Sequence, residues 1–333
     1  MAIMYPIRFE PIFRRYIWGG NRLNSMLGKP TGEATCAESW EIVDHGDDQS
    51  VVSHGSLKGK TLHGLVQEHG LELLGEAWLE NINSERNPQN LRGRFPLLLK
   101  FLDATKNLSV QVHPDDAMGS TLQPPDLGKT EAWYVMHADE GAKIYAGLKD
   151  GVTRSDLKNA VSNGTTEDVV HSFSPQAGDC VFIQSGTLHA IGAGLVIAEI
   201  QQASNTTFRV FDWNRVDSEG KSRELHIEES LQATNYELGP IHPAKPSTCE
   251  DERSKTIVSC DKFVMRRWNT SAPVDLTNNQ LRLLAVTSGS VRVSDDPSNQ
   301  PMNLADSMMI PAACDHVTVT PQGDAEFLEI VLP

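Results

Sequence analysis

The chain is short of cysteine, of positive charge and of long apolar runs, and each shortage excludes something. Its five cysteines, Cys36, Cys180, Cys249, Cys260 and Cys314, are odd in number and scattered, with no CxxC pair. They read as buried reduced thiols rather than a disulfide framework or a thiolate zinc site. Lys and Arg number 29 against 44 Asp and Glu, a formal charge of −15. So acidic a surface is repelled by nucleic acid and anionic lipid, and an anionic ligand needs a local cluster of Arg and Lys. No apolar run approaches the ~20 residues of a membrane span. The first residues carry Arg8, Glu10, Arg14 and Arg15 where a signal peptide would be apolar. The expectation is a soluble, unexported, cytoplasmic protein with no nucleic-acid or membrane partner. A glycine-rich phosphate loop and a repeat period are also missing.

What is present is a series of short apolar runs separated by Gly, Asn, Asp or Pro: Phe95–Leu102, Leu108–Val112, Ala132–Met136, Ala142–Leu148, Cys180–Ile183, Leu195–Ile200 and Phe208–Phe211. Close-spaced strands with turn signals predict a mainly β sandwich or barrel. A small helical layer is expected from Thr61–Trp78, which Gly64 and Gly70 weaken, from Thr153 onward, where Thr153 and Asp156 have capping-box spacing, and from Leu225–Thr234. The proline-rich stretch 235–255 divides the 333 residues into 1–240, with helical insertions, and a smaller β unit, 241–333. In the latter, a hairpin is expected through Ser288–Gly289.

The chemistry concentrates in three segments. In Leu108-Ser109-Val110-Gln111-Val112-His113-Pro114, strand periodicity turns Gln111 and His113 to one face. Taken alone, the pair also suits a polar strand end entering a Pro-Asp turn. Eighteen residues beyond His113, Glu131 opens an apolar strand, where an unpaired charge is costly. In Gly178–His189 a strand runs through a Gly turn to His189, either a satisfied core histidine or a ligand.

Together these segments resemble the two signatures of the cupin (jelly-roll) barrel, with Gln184 standing where the family usually has proline. LSVQVHPDD, LGKTEAWYV, IQSGTLHAIG and YIWGGNRL…AESWEI further resemble the type I mannose-6-phosphate isomerases, above all the short bacterial form, over about residues 1–236. The resemblance implies a metal-binding cupin domain followed by a second, degenerate, metal-free cupin-like barrel. It implies interconversion of mannose 6-phosphate and fructose 6-phosphate through a cis-enediol. The metal ligands carried over are Gln111, His113, Glu131 and His189. This donor set suits one Zn²⁺ per chain and also accepts Fe²⁺, Mn²⁺ or Co²⁺.

Arg209 falls on the family's catalytic arginine. Glu199, in apolar LVIAEIQQ, falls on its proposed base; it suits equally a carboxylate paired with a cation. Lys129 and a metal-bound hydroxide compete with it as base. Ser109, Lys100 and Arg215 are the expected substrate contacts, with a small sugar phosphate as partner and the oligomeric state open. Rival readings are another cupin enzyme, such as an iron dioxygenase, and a non-catalytic sugar-phosphate-binding cupin. Trp18, Trp40 and Trp133 suit core packing, His45, His54, His63 and His69 a surface role, and His316 has no partner at ligand spacing.

Overall fold

The computed structural model describes residues 4–32, 34–85, 87–216, 220–277 and 279–333. The chain forms two pairs of face-to-face antiparallel sheets. In the first pair, a five-stranded front sheet runs in the order Val170–Phe173, Ile144–Leu148, His189–Ile191, Val110–Val112, Phe208–Phe211. Its partner, the six-stranded back sheet, runs Cys180–Ile183, Glu131–Ala138, Leu195–Gln202, Leu97–Ala104, Glu38–Ile42, Ile12–Arg14. Trp18, Leu102, Trp133, Val135, Ile144, Ile191 and Ile197 fill the space between them. This mainly β architecture is the jelly-roll of the cupins. Among the described residues all five cysteines are free, and no helix is long and apolar enough to cross a membrane.

The second pair consists of a six-stranded sheet, from Ser247–Thr248 to the terminal Ala325–Val331, and a three-stranded one. The largest core lies between the two six-stranded sheets, where Leu97, Leu99, Phe101 and Ala198 meet Met265, Leu283, Leu328 and Ile330. Two further ties cross this boundary. Ile7 exchanges backbone hydrogen bonds with Met309 at 2.7 and 2.9 Å, and Arg8 pairs with buried Asp296 at 2.7 Å. The stretch 235–255 is likewise bonded to the first sheets, Ile241 N to Ala146 O at 3.1 Å and Ala244 N to Cys180 O at 2.7 Å.

The helical layer covers the rim of that core. Thr61 caps Leu62–Leu74, its hydroxyl accepting from Gly64 N, and Leu62, Leu65, Leu73 and Leu74 are buried. Gly70 lets the following helix, Glu76–Asn83, pack close: a Cβ there would lie 2.6 Å from Leu79 Cδ1, so a larger residue would need that side-chain tip to turn aside. Arg154–Asn163 opens on the Thr153/Asp156 capping box, and Ile227–Ala233 forms within the third expected segment.

The expected hairpin through Ser288–Gly289 does not form. Arg282–Ser288 already has both edges occupied, by Ser307–Ile310 and Ala325–Val331, so Val291–Val293 has no edge to pair with. Instead a register shift at Val286/Ser288 and the left-handed Gly289 (φ +69) turn the chain into the opposite sheet. A buried ion pair stabilises the larger of these sheets: Arg282 Nε donates to Glu329 Oε1 at 2.8 Å, while Trp268 Nε1 donates to Glu329 Oε2 at 2.9 Å. Arg282→Met leaves that carboxylate with Trp268 and with Arg266, whose guanidinium lies 3.5 Å from Oε2, and is expected to cost about 3 kcal/mol, the lower end for breaking a buried pair because these two partners remain. Urea denaturation measures it; unchanged stability would show that Glu329 does not need the guanidinium.

Candidate metal centre and its cavity

Sheet register assembles the site. On the front sheet His189 stands opposite Gln111, and Gln111 opposite Arg209, so three neighbouring strands bring these side chains into one row. On the back sheet Glu199 stands opposite both Lys100 and Trp133, and Glu131 opposite Gln201. His113 follows directly on its strand, and its carbonyl accepts from Gly186 N at 2.9 Å. That bond fixes the turn before His189, in which Thr187 N donates to Gln184 O at 3.0 Å and Gly186 takes φ +84. Gln184 serves through its backbone, so replacing the customary proline leaves the turn intact.

His113, Glu131 and His189, all buried, place one ligand atom each within 4.8 Å of one another. Each imidazole donates Nδ1–H to a backbone carbonyl, His113 to Thr206 and His189 to Thr187, both at 2.9 Å. The tautomer is thereby set with the Nε2 lone pair facing Glu131, 3.6 Å away for His113 and 3.4 Å for His189. His113 Nε2 has no hydrogen-bond partner, and neither does Glu131 Oε2, whose 3.1 Å approach to Lys129 Nζ is an unaligned ion pair. Burial lowers the pKa of both histidines, that of His189 to about 4, so both rings are neutral at physiological pH, as metal ligation requires. Bare imidazole nitrogens converging on an unsatisfied carboxylate fit a divalent cation. Gln111 turns its NH₂ toward His189 Nε2 at 3.4 Å, and Ser109 Oγ donates to its Oε1 at 3.3 Å.

A cavity of about 330 Å³ opens over this cluster. It brings together Ser109, Gln111, Lys129, Glu131, His189, Lys100, Glu199 and Arg209. Lys100 Nζ sits between two carboxylates, 3.1 Å from Glu199 and 3.5 Å from Glu38. Burial, and then the negative charge of Glu131, push the Glu199 pKa up against the opposing pull of Lys100. Burial works against the Lys100 charge, but Glu199 and Glu38 outweigh it and hold the ammonium protonated. Trp18 and Trp133 are at once buried and part of the lining, and Trp40 donates to Glu38 at 2.7 Å.

Arg215 is the exception among the expected residues. It does not line the cavity: its guanidinium donates to Asn107 O at 2.6 Å and is paired with Asp212. The second arginine at the mouth is Arg223, whose Nε donates to Asp212 Oδ2 at 2.7 Å and whose Nη2 reaches Oδ1. Arg209 joins it through Nη1 to Glu224 O at 2.8 Å, keeping a buried Nε without a partner, and its backbone N donates to His226 Nδ1 at 3.2 Å. Glu38 could have been found by the signal that flagged Glu131, a carboxylate within an apolar strand. Arg223 lies in a polar loop with no such signal. His316 meets only exposed Asp275, at 3.8 Å, and the metal-ligand group above is the single one among the described residues.

Known proteins resemble this chain over most of its length. The catalytic-domain model of type I phosphomannose isomerase matches residues 7–132. The chain is 34% identical to mannose-6-phosphate isomerase ManA of Bacillus subtilis, over 92% of this chain and 93% of that one. With the mannose-6-phosphate isomerase of Streptococcus mutans it shares 36% identity, over 91% and 92%. The crystal structure of the mannose 6-phosphate isomerase from Bacillus subtilis superposes with a TM-score of 0.85 at 29% identity, covering 98% of this chain and 99% of that one. A mannose 6-phosphate isomerase bound with zinc and yttrium shares the fold, with a TM-score of 0.73 at 14% identity over 98% and 99%. With a curated relative this similar along nine-tenths of both sequences, the chain belongs to the type I phosphomannose isomerase family.

Proposed function

We propose that the chain interconverts mannose 6-phosphate and fructose 6-phosphate, acting as a cytoplasmic enzyme. The observation that carries this reading is the polarity of one cavity: unsatisfied metal donors and a buried Glu–Lys pair at its floor, two arginines at its mouth. His113, Glu131 and His189 would hold the ion, zinc by the example of the zinc-bound relative, with Gln111 joining through Oε1 once its amide turns over from the orientation in which the NH₂ faces His189. The ion supplies Lewis-acid polarisation of a sugar oxygen.

The chain's own residues do the rest. Aldose–ketose exchange moves a proton between adjacent carbons and develops negative charge on oxygen. We assign the base to Glu199, buried and raised in proton affinity, with Lys100 holding its orientation at 3.1 Å. Lys129, the competing base, serves as counter-charge to Glu131 at 3.1 Å. Arg209 lends its guanidinium to the developing oxyanion. Arg223 replaces Arg215 as the phosphate anchor: Asp212 orients its guanidinium through Nε and Nη2, leaving the Nη1 edge for the phosphate, while Arg215, behind the lining, braces the same carboxylate. Ser109 completes the substrate wall, and the unit 241–333 contributes packing.

Purified protein is expected to carry about one divalent ion and to turn over mannose 6-phosphate; chelation abolishes turnover and zinc restores it. His113→Ala is expected to lose the ion, so full metal content and activity in that variant would refute the site. Arg209→Ala should keep its metal and lower kcat by roughly 10²–10³; a raised KM with unchanged kcat would make Arg209 an anchor only. Arg223→Ala should do the reverse, raising KM for the phosphorylated sugar on the order of 10–100-fold while kcat stays nearly constant. An unchanged KM would return the anchor role to another cation.

A further inference from the structure

Asp126 lies outside the cavity lining yet binds both segments that enter the site. The residue is 9% exposed and both of its carboxylate oxygens accept hydrogen bonds. Oδ2 takes Ser204 Oγ at 2.8 Å, Thr206 Oγ1 at 2.7 Å and Asn205 N at 3.3 Å. Oδ1 takes Leu127 N at 2.9 Å and meets His45 Nε2 at 3.3 Å. Burial disfavours the charge, but the bonds from His45, Thr206 and Ser204 outweigh it and hold the pKa at about 2.

The turn gathered by Oδ2 is the one whose Thr206 carbonyl accepts His113 Nδ1–H at 2.9 Å. The same turn puts Asn205 and Thr207 on the cavity wall, and it runs directly into the strand carrying Arg209. On the other side, Oδ1 fixes Leu127, at the start of the approach to Lys129 and Glu131. One metal donor, His113, is thus referred through the Thr206 carbonyl to a buried carboxylate on a different segment.

We propose that Asp126 is a positioning residue for the metal centre: it clamps the 204–206 turn so that the Thr206 carbonyl holds the His113 ring with Nε2 directed at Glu131. This rests on the metal-site reading above. Loss of a group that orients a ligating histidine weakens metal affinity by about 10–100-fold.

The test is zinc affinity by chelator competition on the full chain, together with the visible spectrum of the cobalt-loaded protein, which reports ligand geometry without any assay of turnover. Asp126→Asn keeps the shape but offers one acceptor oxygen in place of two. It is expected to weaken zinc binding by about 10–100-fold and to shift the cobalt bands. Should that variant fail to fold, Thr206→Val removes a single arm and is expected to move both readouts the same way by less, while Thr206→Ser, which keeps the hydroxyl, restores them. Wild-type affinity and spectrum in folded Asp126→Asn would overturn the positioning role and leave the metal site standing. A wild-type chain that binds neither zinc nor cobalt at His113 overturns both.

Discussion

Everything at the site depends on how a barrel interior can hold three carboxylates. Glu38, Glu131 and Glu199 are at most 6% exposed, in a space that a jelly-roll normally fills with apolar side chains. An isolated buried carboxylate is prohibitively costly, so each is placed against a cation: Lys100 between Glu38 and Glu199, Lys129 beside Glu131. Three negative groups against two positive ones leave one charge uncompensated. A divalent ion held there would reverse that sign and make the floor of the cavity net positive, the sign that would favour a developing enediolate.

The strand period of two lets one sheet serve both purposes. Along Leu97–Ala104, Leu97, Leu99 and Phe101 join the large core against the second sheet pair. On the alternate positions, Lys100 and Leu102 face the cavity. The back sheet therefore has no solvent face, and an apolar surface of this extent requires a cover. The terminal sheets supply it, although among the described residues they contribute nothing to the metal-ligand group. Rigidity of the Glu199–Lys100 pair depends on packing one layer behind it.

The cavity floor was legible in the sequence because its members break a pattern. Glu131 and Glu199 interrupt apolar strands, and Gln111 and His113 share a strand face; away from the cavity, Thr153 with Asp156 keeps capping-box spacing. Each of these signals acts within a few residues. What escaped depends on long-range pairing. Nothing near Ser288 reveals that both edges of its strand are taken by segments 20 to 40 residues later, and nothing near Arg215 or Arg223 reveals which guanidinium Asp212 turns into the wall. Asp126 escaped for the same reason: its partners lie about 80 residues away, in a turn with no periodicity.

Among the described residues, buried side-chain atoms without an aligned hydrogen bond occur in several places, Asp103, Thr166 and His171 among them, but His113 Nε2, Glu131 Oε2, Trp133 Nε1, Glu199 Oε1 and Arg209 Nε share this one site. An unmade bond of this kind costs about 1–3 kcal/mol. Several in one place would be a heavy burden for a fold whose net stability is typically about 5–15 kcal/mol. They persist because the surrounding sheets over-determine them and because ligands that satisfy them bind only the folded state, adding stability as binding proceeds. On the proposed reading, the same atoms that weaken the barrel are the ones through which it would engage a metal and its substrate.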